Sequence, residues 1–337
     1  MAHPKRVGLY VWPTGQHEAE FERALWAEEQ GYEDIWFPDG YGMQDALTLA
    51  AAVAARTKRA RLCTGVVPVF TRPVPVLAKT IYAIEKIAPG RLVLGLGSST
   101  GAMVDGWYGV EFKKPVTAVR EAVELLRKIM AGEKTDYQGQ VFRSKGFKLG
   151  EPIQPPVPIL LAAMGPKMLQ MVGEVADGVC LNNFTPLERM PWALEQLDIG
   201  AKRSGRRVDD LEISARLAMI TSDDPASALE FFRSEVSFYA STPIYQQIIT
   251  HMGFGQVARD VAEGFKVRDR KRILAAIPDE LVAKLFIWGN EAECQRRVRE
   301  FFAAGLTSAA IGPQSPNPAE FQRTCEAFVP SRFSVAA

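Results

Sequence analysis

The chain has 337 residues, 47% of them hydrophobic, and a net charge of +1 from interspersed acids and bases. That supplies apolar material for a large core, and no basic stripe suggests a nucleic-acid partner. No run reaches membrane-spanning length, and the apolar stretch from Met1 to Trp12 is too short for a secretory leader, so a cytoplasmic protein is expected.

In chain order, Val7 to Trp12 reads as a short strand, followed by an amphipathic helix from Glu18 to Gln30 that stops at Gly31. Asp34 to Asp39 is the second strand. Asp45 to Lys58 is an alanine-rich helix with Asp45 as its N-cap. Residues 61–69 (RLCTGVVPV) read as a buried parallel strand. Gly65 and Pro68 interrupt it, and a Gly inside a strand marks either a relieved barrel wall or a close approach to the backbone. A helix from Pro73 to Ala88, a strand from Arg91 to Gly97 and a helix from Pro115 to Ala131 follow.

The alternation then pauses at Tyr137 to Leu149, a polar hairpin, and at the proline-rich link from Pro152 to Pro158. It resumes with strand Ile159 to Ala163, a helix from Pro166, strand Gly178 to Asn183, a helix from Pro186 to Ser204, and strand Leu211 to Thr221 with a helix near Pro225. Residues 241–288 fit no simple unit and read as an insertion. Helix Glu291 to Ala304, strand Ser308 to Gly312 and helix Pro318 to Phe328 complete the chain. Eight strands, nearly all followed by helices, predict an α/β fold, a (β/α)8 TIM barrel, with its site at the carboxyl ends of the strands. A doubly wound open sheet is the competing arrangement. One domain spanning 1–337 is expected, with insertions at about 132–157 and 241–288.

Unusual residues collect at the predicted strand ends: Trp12-Pro13, Asp39-Gly40, Thr64-Gly65-Val66, Gly97-Ser98-Ser99-Thr100-Gly101, Gly165-Pro166-Lys167 and Asn182-Asn183. Small residues, amides and one acid suit a flat ligand with a polar tail. At Gly165-Pro166-Lys167 the first turn of a helix offers free N–H groups beside a lysine, which suits a phosphate or an ordinary proline-started helix. Asp39 is expected as an exposed rim carboxylate, either an anchor for a ligand or an acid catalyst. Gly65 is expected to leave room for a ligand.

Two motifs compete with this reading. Gly95-Leu96-Gly97 is a weak dinucleotide signal, because its spacing is wrong and no helix pattern follows directly. Gly97 to Gly101 matches G-x-S-x-G, which would make Ser99 a hydrolase nucleophile with Asp223 and His251 behind it in chain order. No His-bearing glycine-rich oxyanion segment precedes it. His3, His17 and His251 are the only histidines, too scattered for a metal site, and the four cysteines form no C-x-x-C.

In their order and spacing, VGLYVWP, GYEDIWFPD, LCTGVVPVFTRPVPVLAKT, GRLVLGLGSS, GWYG, AAMGPKMLQMVGEVADGVCLN and AAGLTSAAIGP resemble the bacterial luciferase-like flavin-dependent oxidoreductases, and among them the branch that uses the deazaflavin coenzyme F-420. The likeness runs over nearly the whole chain. It implies a homodimeric (β/α)8 barrel whose cofactor ring lies against the bulge at Gly65-Val66, often with a cis peptide there. It implies coenzyme contacts from Asp39, Thr64, Gly65, Val66, Gly97, Ser98 and Ser99, with Gly165, Pro166 and Lys167 near the phosphate. It also implies that Phe238-Tyr239 through Tyr245 and Phe254 belong to a segment covering a small-molecule substrate. Two positions depart from the pattern: Gly40 stands where several deazaflavin enzymes carry His, and Ser replaces the Glu that sugar-phosphate dehydrogenases use after strand four. The resemblance implies hydride transfer between coenzyme F-420 and a small organic substrate. The alternatives are an FMN-dependent monooxygenase of the same fold and a cofactor-binding protein without turnover.

Overall fold

The computed structural model describes residues 3–12, 17–40 and 44–335. Among the described residues twelve strands are formed: β1 (Arg6–Tyr10), β2 (Asp34–Phe37), β3 (Arg61–Thr64), β4 (Val67–Pro68), β5 (Leu92–Gly97), β6 (Asp136–Gln138), β7 (Arg143–Lys145), β8 (Ile159–Ala162), β9 (Gly178–Leu181), β10 (Glu212–Thr221), β11 (Ile287–Gly289) and β12 (Ser308–Pro313). Eight of them, β10-β12-β1-β2-β3-β5-β8-β9, form a continuous order that returns to β10. The registers are parallel, for example Gly8 with Asp34, Asp34 with Arg61, and Glu212 with Gly178. This closed parallel ring with helices between its strands is a TIM barrel, and closure removes the sheet edges that an open sheet would expose.

Several helix boundaries have local causes. Asp45 caps Ala46–Ala54 by accepting from the Thr48 N–H, and Gly31 takes a positive φ after His17–Glu29. The helix Val74–Ile87 starts directly after Pro73, and Pro115–Met130 and Pro166–Val175 begin on proline. The 136–145 hairpin is antiparallel, and buried Glu121 accepts three of its backbone N–H groups, from Gln140, Val141 and Phe142.

The chain groups into two compact units: Met1–Asn182, Pro191–Arg216 and Gly305–Gly312 in the first, and Asn183–Met190, Leu217–Ala304 and Pro313–Ala337 in the second. The first unit contains β1 through β9. The second is mostly helical. Its core includes Phe232, stacked on Phe286 with ring centroids 4.4 Å apart, together with buried Val236, Ile249, Val261 and Leu281.

Three local differences from the sequence reading stand out. Residues 61–69 are two strands rather than one, separated by a cis peptide between Gly65 and Val66. A π-helical turn, Ala102–Trp107, follows β5 where no helix was expected. The unassigned stretch is helical: Pro243–Ile249, Gly255–Lys266, Arg270–Ala275 and Asp279–Leu285. Three of these helices are only six or seven residues long, too short for a 3.6-residue period to register.

Candidate functional site

Alternation along the strands stacks side chains in layers inside the barrel. At the amino ends, Arg61 makes four hydrogen bonds of 2.7 to 2.8 Å, two to Asp34 and two to Glu212, and the Ser308 hydroxyl donates to Asp34. Asp34 and Ser308 are fully buried. The next layer is apolar: Tyr10, Trp36, Cys63, Val93, Leu160 and Ala310, with Trp12 and Cys180 packed against it. Toward the carboxyl ends, Gly65, Gly95, Gly97 and Ala162 make the wall small. Arg216 lies there too, its guanidinium 4.3 Å from the Trp12 ring and 5.1 Å from the Tyr10 ring.

The break after β3 is built from glycines and one threonine. The Thr64 hydroxyl donates to the Gly95 carbonyl and accepts from the Gly95 N–H, both at 2.8 Å. Thr64 is fully buried, backbone included, so its part is to hold the wall through Gly95. A Cβ on Gly95 would lie 1.9 Å from the Thr64 carbonyl oxygen, and one on Gly97 would lie 2.8 Å from a Val66 methyl. Gly95 and Gly97 are therefore required by the shape of the 64–66 segment. Gly65 corrects an expectation. Its missing side chain leaves no vacant space, because a Cβ would meet the Tyr10 ring at 2.9 Å and Trp36 at 3.3 Å. The Tyr10 hydroxyl also donates to the Gly65 carbonyl. Gly65 and Val66 themselves are half-buried.

Asp39 follows β2, and here too the structure differs from the sequence reading. Its side chain is only 11% exposed and pairs at 3.0 Å with Arg72, a residue the sequence reading passed over. Burial pushes the Asp39 carboxyl above its ordinary range, while the Arg72 charge and hydrogen bond pull the other way; the net direction is upward. After β5, Ser98 and Ser99 are half-buried, and Ser99 adopts a left-handed backbone with φ 60°. The Ser99 hydroxyl donates to the Met103 sulfur. Asp223 pairs with Arg323 and is largely exposed, and His251 is exposed in the Thr250–Phe254 turn. After β8, Gly165 is the N-cap of Pro166–Val175 without a side-chain cap, and nothing lies within 4 Å of where its Cβ would be. Lys167 is exposed.

The sequence-predicted positions thus follow β2, β3, β5 and β8, four consecutive neighbours of the ring. Asn182 donates to the Met164 sulfur at 3.3 Å. His17 and Pro13 fall where side chains lie outside the described residues. Among the described residues, no three His, Cys, Asp or Glu side chains come together as a metal site, and no helix is long and apolar enough to cross a membrane. In the second unit, Phe184, Tyr239 and Tyr245 form a cluster with ring centroids 4.7 to 5.0 Å apart.

The profile of the luciferase-like monooxygenase family matches residues 9–308. The chain belongs to this family. It is 30% identical over 299 residues to the 5,10-methylenetetrahydromethanopterin reductase of Methanolobus tindarius, covering 86% of this chain and 89% of the relative. It is 32% identical over 225 residues to the F-420-dependent glucose-6-phosphate dehydrogenase of Nocardia farcinica, covering 61% and 66%. The solved structure of the coenzyme F-420-dependent tetrahydromethanopterin reductase of Methanopyrus kandleri superposes with a TM-score of 0.81 at 22% identity, over 97% of this chain and 98% of that one.

Arg72 and Arg216 were the residues missed. Each left a signal. Arg216 is a charge in the middle of the strand Glu212–Thr221, whose other charge, Glu212, stands at its start, and Arg72 follows shortly after the Gly65 break.

Proposed function

We propose that this chain is an oxidoreductase that transfers hydride between coenzyme F-420 and a small organic substrate. The observation that carries the reading is the succession of Asp39, Gly65-Val66, Gly97 to Ser99 and Gly165 to Lys167 on four adjacent strand ends, in a chain whose relatives are named for this coenzyme. The residues fit such a group. The half-buried backbone at Gly65-Val66 can face a ring. The uncapped start of Pro166–Val175, with open space at Gly165, suits a phosphate through the free N–H groups of Lys167 and Met168 and the exposed Lys167 ammonium.

When bound, the coenzyme supplies the hydride chemistry. The protein supplies position. Ser98 and Ser99 offer hydroxyls, Asp39 offers a carboxylate oxygen, and the Gly97 backbone allows close approach at the end of β5. Thr64 acts through Gly95, holding the wall on which Gly65 and Val66 sit. By the family resemblance, Phe238, Tyr239 and Tyr245 belong to a segment that covers substrate. One domain over 1–337 and a homodimer accompany this reading on the strength of the family resemblance.

Titrating apo protein with coenzyme F-420 and with FMN, then measuring oxygen uptake, tests it. F-420 binding with substrate turnover and no oxygen uptake supports the reading. FMN binding with oxygen uptake replaces it with a monooxygenase, and binding without turnover on a broad substrate panel makes the chain a cofactor-binding protein.

A further inference from the structure

Arg72 joins two carboxylates from two different elements. Its Nη1 donates to Asp39 Oδ2 at 3.0 Å and to the neighbouring Thr71 hydroxyl at 3.1 Å, and its Nη2 donates to Asp45 Oδ2. Asp45 is itself fixed. Its Oδ1 accepts from the Thr48 N–H and the Thr48 hydroxyl, both at 2.7 Å, at the start of the helix Ala46–Ala54. Each Asp45 oxygen therefore has a separate task, one capping the helix and one holding Arg72. The guanidinium in turn occupies only one oxygen of Asp39. Among the described residues the other, Oδ1, has no hydrogen-bond partner and is not among the sealed polar atoms.

We propose that Arg72 is a positioning residue: anchored on the Asp45 helix cap, it holds Asp39 as a carboxylate acceptor with Oδ1 turned to the ligand. This rests on the reading of Asp39 as a cofactor contact. It assigns Asp39 the anchor role and leaves the proton for substrate to another group. Among the described residues, the charged group that bears on Asp39 is Arg72 and, through it, Asp45; Glu20, on the helix His17–Glu29, accepts from Gln44. The planar fork matters because one guanidinium presents separate N–H edges to two carboxylates, whereas an ammonium is a point charge.

The test uses Arg72→Met and Arg72→Lys, with melting curves to establish folding. Two measurements are made: titration of the Asp39 carboxyl carbon by NMR in the apo protein, and coenzyme F-420 affinity by fluorescence from pH 5 to 9. In Arg72→Met the Asp39 midpoint should rise by about one unit or more, since an adjacent cation is lost. F-420 affinity at pH 7 should fall by about tenfold or more, with the deficit shrinking at higher pH as Asp39 ionises. Arg72→Lys should keep the midpoint within a few tenths of the wild type and bind F-420 with intermediate affinity. A merely structural Arg72 would lower the melting temperature and leave the Asp39 midpoint in place. An unmoved midpoint in Arg72→Met, or wild-type affinity in either variant, overturns the proposal. If Arg72→Met does not fold, Arg72→Lys decides alone: intermediate affinity supports the proposal and wild-type affinity sinks it. Should the wild type fail to bind F-420, the functional reading falls, while the carboxyl titration still decides whether Arg72 sets the state of Asp39.

Discussion

Replacing Gly65 by Ala separates two explanations of this glycine. If the missing side chain makes room for a ligand, an added methyl costs the apo protein nothing. The structure gives the opposite expectation, because the Cβ would press on the Tyr10 ring at 2.9 Å and on Trp36 at 3.3 Å. Both rings are almost fully buried in the packed layer of the barrel, so neither can swing into solvent. Overpacking of this kind costs about 1 to 3 kcal/mol. The Tyr10 hydroxyl also donates to the Gly65 carbonyl, so a ring shift loosens that bond as well. Urea unfolding of apo Gly65→Ala should therefore show a loss of about 1 to 3 kcal/mol. Shortening the ring position to Leu should recover part of the loss, so that Gly65→Ala/Tyr10→Leu is less destabilised than the sum of the single changes. An unchanged apo stability in Gly65→Ala, with strict additivity in the pair, would refute the packing argument and restore the ligand-space explanation.

Asp39→Asn should weaken F-420 binding about tenfold by equilibrium titration, with a modest change in maximal rate. A rate loss of 10²-fold or more at normal affinity would instead make Asp39 the acid. Ser99→Ala should leave no esterase activity to lose, since the Ser99 hydroxyl donates to the Met103 sulfur rather than to a histidine base; a robust activity abolished by the change would contradict the family's redox role. Arg61→Met should cost about 3 to 5 kcal/mol of unfolding free energy, because Asp34 and Glu212 would be left buried and unpaired. Glu28 reports on pH. Burial opposes its charge, but N–H bonds from Ala60, Lys58 and Arg59 outweigh burial and lower its pKa. A lowered acid stabilises the fold above its unfolded value of about 4.3 and loses that contribution as pH falls through the folded value. Glu28→Gln should thus be less stable than wild type at pH 7, with the gap closing below about pH 4.

How far the fold could be read from sequence depends on length and period. Prolines at helix starts, Asp45 as a cap and Gly31 as a stop are local signals, and the helices they bound were legible. The strand ends were legible for the same reason, since Gly97 to Gly101 and Gly165 to Lys167 break an apolar run. What escaped was non-local. Arg72 and Asp39 are 33 residues apart and Arg61 and Glu212 are 151 apart, and nothing in either neighbourhood announces its partner. The reason for Gly65 escaped too, because an absent side chain looks the same whether a ligand or a tyrosine ring fills the space. Three of the four helices between 243 and 285 escaped because each is a turn or two of pattern, too short for a period to register, while the twelve-residue Gly255–Lys266 was passed over with them.

The layers of the barrel divide its labour. At the amino end, Arg61 saturates Asp34 and Glu212, and a Cβ at Gly8 would lie 2.6 Å from the Asp34 Cβ, so that end is closed by charge pairs and by backbone. In a network this complete, a change is felt as stability. Toward the carboxyl end several wall side chains shrink to glycine and alanine, and the polar groups there include hydroxyls, the Asp39 carboxylate with Arg72, the Arg216 guanidinium and an uncapped helix start, so a change there is felt as binding. Gly65 sits on the boundary. Its Cα faces the packed Tyr10 and Trp36 rings, while its peptide with Val66 lies half-buried at the mouth. It is the position where the two effects should be least separable. A methyl group there acts first on the packed layer and, through the tyrosine bonded to its carbonyl, on the wall the cofactor would meet.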